Sequence, residues 1–433
     1  MKSVRLKINS GLIINLMFLL SFLIYIKKIP IETETQPIFI FIISIVYIFT
    51  FRLRTTSKDF LIILQMLLLT TYFVIQYLVF QTGILEYITF LIGPLVYLVF
   101  LNRVHTISVL LIKWIIIVFL FLTIIILFRI PGFYDILNWL TQVFISRSQE
   151  HTSSSIRGVS LLTPEPSYFA FPLILLLSII DLKLEEENIK SLKKYRLVLF
   201  FIALVTKSAL VFFYLIFYLL GKYLSRYSLN LFKIKFSTKN IVIGISLIVI
   251  LLMPFLFLRN SRPVQVAENV YKSVSKGDMF GLLFRESSGS TRFIINTLGV
   301  ISIQKEPFGW GIGEFKYNFF KAGNTKFKEV IKKHEVLRAF YYNDNPVKTQ
   351  TYLTNLTGDI GIFSLPLFLF IIISIYKAKG ETRGGIKWVI PLMLIIVQGQ
   401  MSNPAIWIIL AILNSNKFDT TTDTITPTKN HIQ

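Results

Sequence analysis

The chain has 433 residues and no cysteine. No disulfide can staple an external loop, and no thiolate can serve as nucleophile or zinc ligand. Histidine is nearly as scarce, at four. A membrane acyltransferase, which needs a catalytic histidine beside an acid, finds no such constellation here. Charge is also sparse. Only 16% of residues are charged, against about 25% in soluble domains. The acids are half as common as the bases, 23 against 45. No clustered carboxylate set or Asp-x-Asp appears in the polar segments, so no metal and no other cofactor is expected. No repeat at a fixed period appears either, which argues against a transporter built from duplicated halves.

What is abundant is apolar surface. More than half of the residues are hydrophobic, with 40 Phe and a mean hydropathy of +0.66. A bilayer-spanning helix needs about 20 mostly apolar residues. Candidate spans are 10–26, 37–51, 60–80, 84–101, 107–128, 166–180, 197–220, 241–258, 351–376 and 388–414. Only helices or closed barrels satisfy their backbone in lipid, and these runs are too long for barrel strands. The expected fold is an all-α, polytopic transmembrane bundle. Its first part covers 1–258 and includes a polar motif segment at 130–165. An extracytoplasmic loop with short helices follows at 259–348, then C-terminal helices at 349–414 and a cytoplasmic tail at 415–433.

The formal charge of +22 reads as an orientation signal and as contact with anionic membrane lipids. It is not a nucleic-acid footprint, because no basic soluble domain stands apart. An anionic substrate is the other partner it allows. Basic residues collect in short cytoplasmic loops. That rule puts the N-terminus, Arg52–Lys58, Arg103–His105, Asp181–Arg196, Lys222–Lys239 and Lys377–Lys387 on the inside. It holds only if 197–220 is a tight pair of helices broken near Thr206, Lys207 and Ser208. Lys207 then reaches water at the outer turn; a single continuous span would leave it near mid-bilayer at roughly 3 kcal/mol. The run 388–414, interrupted between Gln398 and Pro404, reads as a second pair. The total is about twelve spans, and the two segments with room for chemistry, 130–165 and 259–348, share the outer face.

The first of these contains Arg157-Gly158 and then Pro164-Glu165-Pro166-Ser167-Tyr168. Pro166 suits a first helical turn, and Glu165 then sits at the positive end of the helix dipole. Either this is a well-capped helix or it is a preorganised carboxylate at the membrane surface. The second contains Ser290-Thr291-Arg292, an amphipathic stretch over 292–303, and Glu306-Pro307-Phe308-Gly309-Trp310-Gly311-Ile312-Gly313. Gly309, Gly311 and Gly313 allow a tight turn or close approach to a ligand. No strand–helix context surrounds them, so a dinucleotide fingerprint is excluded. His151 and His334 read as solvent-exposed loop residues.

Together the Arg157–Ala170 element, the Thr206–Ser208 turn, the Arg292–Phe315 stretch and Leu356–Gly361 resemble the O-antigen polymerase and ligase superfamily. The resemblance covers most of the chain as architecture. It implies a membrane enzyme of the bacterial cytoplasmic membrane, its site facing outward. Such an enzyme joins polyprenyl-pyrophosphate-linked oligosaccharide units into O-antigen, capsule or exopolysaccharide, with a flippase and a chain-length regulator as partners. The ligase and a lipid-linked oligosaccharide transporter are the alternatives. Ligases often carry a His-Asn pair about nine residues before their Glu-x-Gly acid. Here Asp359-Ile360-Gly361 is preceded instead by Gln350 and Thr351, which favours the polymerase.

By this resemblance Arg157 and Arg292 clamp the departing pyrophosphate, because an arginine fork binds such oxygens bidentately and stays protonated. The bland alternative is that both are surface or headgroup arginines. Glu165 is the base for the acceptor hydroxyl or the group that orients Arg157. Arg285, Tyr168, Lys207 and the three glycines are the expected substrate contacts.

Overall fold

A computed structural model describes residues 9–27, 36–51, 53, 55–57, 59–101, 103–145, 159–226, 287–323, 325–396 and 402–415, with a few isolated positions between 265 and 275. Among these the chain is all-helical, with a single isolated bridge between Ile26 and Ile145. Among the described residues four helical runs are long and apolar enough to cross a membrane: Phe60–Phe80, Val109–Phe128, Pro166–Glu186 and Tyr352–Lys377. Shorter apolar helices pack between them. The expected span 241–258 lies outside the described residues.

The N-terminal helices are α1 (Ser10–Leu20), α2 (Ile38–Thr50), α3 (Phe60–Phe80), α4 (Ile84–Phe100) and α5 (Val109–Phe128). Four of the five follow the apolar runs to within about two residues. In α1 the helix stops at Leu20, and 21–26 continue as turns. After α5 comes α6 (Phe133–Phe144), an amphipathic helix within the polar segment. Phe133, Ile136, Trp139 and Val143 on it are exposed, a pattern suited to lying along a membrane interface.

The most deeply buried of the four long runs is Pro166–Glu186, which contains α7 (Ala170–Glu186). Its last turns carry Asp181, whose carboxylate organises the next two helices, α8 (Lys193–Val205) and α9 (Ala209–Arg226). Arg196 from the start of α8 reaches Oδ1 at 3.1 Å, and Lys222 near the end of α9 reaches Oδ2 at 2.6 Å. Tyr218 donates to Oδ2 at 3.0 Å. Helix α8 therefore begins, and α9 ends, at the same carboxylate, and the chain reverses between them, at Thr206–Ser208. Lys207 takes φ +48 at that turn, and the Ser208 hydroxyl accepts from Val211 N as a cap on α9. This is the helix pair expected from the placement of Lys207.

The C-terminal pair repeats the device. Helices α16 (Glu381–Pro391) and α17 (Pro404–Asn414) meet where Arg383 donates to Ser415 O at 2.7 Å and to Glu186 Oε1 at 2.8 Å. The chain therefore also reverses direction between α16 and α17. Close packing of α16 on α9 uses Gly221, Gly384 and Gly385, where an added Cβ would strike Trp388, Ser225 and Tyr218.

Between Ala209–Arg226 and Glu381–Pro391 the described helices are α10 (Ser287–Ile301), α11 (Phe315–Ala322), α12 (Thr325–Lys333), α13 (Glu335–Tyr342), α14 (Tyr352–Ile360) and α15 (Leu365–Lys377). Helices α10 to α13 enclose a small core of their own: Ile294, Ile295, Leu298, Phe315, Phe319, Ile331 and Leu337. The buried face of α10 is the amphipathic face expected from 292 onward, but the helix starts earlier, at Ser287, and Phe293 is half-exposed.

The run 351–376 is not one straight span. Tyr352 donates to Phe90 O at 2.5 Å, mid-way along α4. Asp359 instead meets Gly313, whose Cα lies beside Glu86 at the start of α4. Helix α14 therefore runs opposite to α4. Helix α15 runs with α4: Phe363 just before it meets Tyr72, and Phe370 meets Tyr97 near the far end. The chain folds over at Gly361, where φ is +57. A side chain there would collide with Pro307 O, so only glycine fits.

The helix ends sort into two groups. At one end Asp59 bonds Tyr97, Lys183 bonds His105 O, Asp181 holds Arg196 and Lys222, and Glu186 holds Arg383. At the other end Lys27 N meets Phe144 O, Tyr25 stacks on Tyr168 and faces Asn403, Val159 N meets Val205 O, and Gln76 and Glu86 meet residues 312–316. The described parts of the charged loops 53–59, 103–108, 181–196 and 377–387 thus share the first end.

Candidate functional site

All the described motif residues lie at the second end. Glu165 is extended, φ −142, and precedes the 3-10 turn Pro166–Phe169 with Pro166 at its first position. Its side chain is half-exposed and accepts no amide hydrogen bond from the turn; Ser167 Oγ donates to it at 3.4 Å. Thr163 holds the approach, donating to Ser160 O and to Glu165 O. Tyr168 is 9% exposed and stacks on Tyr25 with centroids 5.8 Å apart. Its ring is thus packed against protein. Arg157, Arg285 and His151 lie outside the described residues.

Arg292 sits on the second turn of α10, half-buried. Among the described residues it takes part in no ion pair, and no bond joins it to Glu165. The neighbouring Ser290 and His334 are both buried, with Oγ and Nε2 2.8 Å apart. His334 is 1% exposed, so the expectation of a solvent-exposed loop histidine is overturned. The reason is local. His334 is the N-cap of α13, and its Nδ1 accepts from Leu337 N. An accepting Nδ1 puts the ring proton on Nε2, which then donates to Ser290. Burial pushes the imidazole below its ordinary value, against the smaller opposing pull of Glu335. The histidine is a neutral clasp between α10 and α13.

Gly309, Gly311 and Gly313 all have positive φ, at +85, +104 and +81. This backbone wraps the C-terminus of α14. Trp310 N and Gly311 N donate to the carbonyls of Gly358 and Asp359 at 3.0 and 2.9 Å. The buried Asp359 carboxylate accepts from Gly313 N at 3.0 Å and from Phe315 N at 3.3 Å. Gln76 closes the other side with two bonds, accepting from Ile312 N at 2.6 Å and donating to Ile312 O at 3.0 Å. The amides of Gly309, Gly311 and Gly313 are all bonded within the protein. The glycines therefore shape the site by conformation and closeness rather than by free N–H groups. Beside them Lys316 reaches Glu86 at 2.9 Å. Burial works against its charge, but the Glu86 carboxylate outweighs this and holds Lys316 above its ordinary value.

The loop roofs a groove of about 710 Å³ along the second half of α3, from Leu68 to Phe80, the size of a small-molecule site. Leu68, Ile75, Val79, Phe80 and Phe363 form its apolar wall, and Trp310, Glu314 and Asn318 rim it with Gly309 and Gly311. Two of the three glycines expected at substrate are in this lining. Sequence reasoning missed the rim and missed Gln76, although a glutamine inside an apolar span is itself a functional signal. No cluster of three or more His, Asp or Glu suited to a metal occurs among the described residues. Comparison with known protein families, curated proteins and solved structures finds no match to this chain.

Proposed function

We propose that the chain is a membrane glycosyltransferase that polymerises lipid-linked oligosaccharide repeat units at the outer face of a bacterial cytoplasmic membrane. One observation carries the reading. The Pro164–Tyr168 element, the Thr206–Ser208 turn, the Arg292 helix and the Gly309–Gly313 loop gather at one end of the bundle, away from the cluster of acid–base pairs at the other. Segments that resemble one enzyme superfamily in sequence are thus neighbours of one membrane face.

In the proposed reaction an acceptor sugar hydroxyl attacks the anomeric carbon of the donor. The bond to polyprenyl pyrophosphate breaks, and the hydroxyl proton passes to a carboxylate, with Glu165 in that role. Negative charge grows on the departing pyrophosphate, and Arg292 and Arg157 stabilise it. The α3 groove suits an amphiphile: hydrocarbon along Leu68, Ile75 and Val79, sugar against Trp310, Glu314 and Asn318. The ligase alternative has less to stand on. Where ligases often carry His-Asn, Gln350 N donates to Asn296 Oδ1 and Thr351 Oγ1 pairs with Thr354 Oγ1.

The test is gel analysis of surface glycan from cells lacking the gene, complemented with wild type or Arg292→Ala. The reading expects a single repeat unit in the deletion, with the ladder restored by wild type alone. Full polymer retained on the lipid carrier would replace it with the ligase. An unchanged ladder would sink it.

A further inference from the structure

The opposite end of the bundle holds a second open groove, of about 910 Å³, between α9, α15 and α16. Its deep wall is apolar: Phe217, Leu224, Ile375, Pro391 and Leu392. Its mouth carries Lys379 and Lys387, flanked by Tyr376 and Trp388. The lining contains two lysines and no acid. Two carboxylates border it: Glu381 follows Gly380 in the chain, and Glu185 is engaged with the first amides of α16, accepting from Glu381 N at 3.2 Å and Thr382 N at 3.0 Å. Neither Lys379 nor Lys387 forms an ion pair among the described residues. Tyr376 is 88% exposed, and Trp388 is 41% exposed beside it. Exposed Tyr and Trp at one level mark the headgroup zone of a bilayer.

We infer that this groove is a binding site for an anionic phospholipid, with the phosphate at Lys379 and Lys387 and one acyl chain along the apolar wall. Charge complementarity selects the lipid. A zwitterionic headgroup adds a cation that two lysines, with no acid in the lining, repel, whereas phosphatidylglycerol leaves a net negative charge. The groove joins the α9 end of one reversing pair to the α16 start of the other, so an occupied site ties the two pairs together. The inference needs only that the bundle sits in a membrane, and it stands or falls apart from the polymerase reading.

Native mass spectrometry of the full-length chain in detergent tests it. Phosphatidylglycerol, phosphatidylcholine and inorganic phosphate are added separately. The compared proteins are wild type, Lys379→Gln with Lys387→Gln, and a charge-matched control, Lys190→Gln with Lys193→Gln. Lys190 and Lys193 are exposed at the same end. A lysine near an anionic headgroup contributes about five-fold in affinity, so the double variant should lose roughly 30-fold for phosphatidylglycerol. The control should keep its binding. Equal retention of the two lipids, preference surviving in the double variant, or equal loss in the control would overturn the site. Complete displacement of the lipid by inorganic phosphate would also overturn it, leaving a simple anion site.

Discussion

Removing the Asp359 carboxylate should release the Gly309–Gly313 loop. Asp359 is 1% exposed and accepts two backbone amides, Gly313 N at 3.0 Å and Phe315 N at 3.3 Å. A buried backbone donor left without a partner costs about 1–3 kcal/mol of desolvation. Asp359→Ala strands both amides. The Phe315 bond is long, so the sum falls near 3–4 kcal/mol. Asp359→Asn keeps one accepting oxygen and should cost roughly half as much. Hydrogen exchange by mass spectrometry over 309–315 is the direct assay. Exchange there should speed up by roughly several hundredfold in the alanine variant and about twentyfold in the asparagine variant. The Gln76 bonds to Ile312 should keep that residue slower than its neighbours. Unchanged exchange at Gly313 and Phe315 in Asp359→Ala would refute the anchoring argument.

Gly309→Ala should loosen the same loop, because φ +85 strains any L side chain and the new Cβ meets the Asp359 carbonyl; proteolysis near Trp310 should accelerate while Gly323→Ala, whose contacts are ordinary, leaves it unchanged. Asp181→Ala should lower thermal stability by about 1–3 kcal/mol through the stranded, buried Tyr218 hydroxyl, and adding Tyr218→Phe should recover much of that loss, since Arg196 and Lys222 reach solvent. His334 binds its proton less readily folded than unfolded, so its contribution to stability is full above pH 6.5 and is lost as the pH falls below that value; His334→Gln should flatten this part of the stability profile, followed by thermal unfolding in detergent. Arg292→Lys should fail to restore polymer as fully as wild type if the guanidinium fork is what the pyrophosphate needs.

Apolar length carries most of the fold. Runs 37–51, 60–80, 84–101 and 107–128 become helices with nearly those ends, because lipid leaves the backbone no other partner. The two reversals were also legible. Lys207 has no place at mid-bilayer, and the basic loop after it demands an even number of crossings. The fold at Gly361 was not. The stretch 351–376 is apolar throughout, and only the docking of Asp359 against a loop some 45 residues earlier turns it back. Contacts that distant leave no periodic trace.

The site divides the same way. Motif resemblance pointed to Glu165, Arg292 and the three glycines, and all of them lie at one end. It did not show that the glycine amides are consumed by Glu306 O and the end of α14, nor that Trp310, Glu314 and Asn318 rim a groove. His334 looked like loop surface because its burial comes from α10 and α13 closing over it, which one-dimensional polarity cannot express.

The most direct measurement uses the purified full-length chain in liposomes with polyprenyl-pyrophosphate-linked oligosaccharide. The account predicts a ladder of joined repeats on the lipid carrier and one polyprenyl pyrophosphate released for each new linkage, with both lost in Arg292→Ala. Movement of intact lipid-linked oligosaccharide across the bilayer without any new glycosidic bond would contradict it.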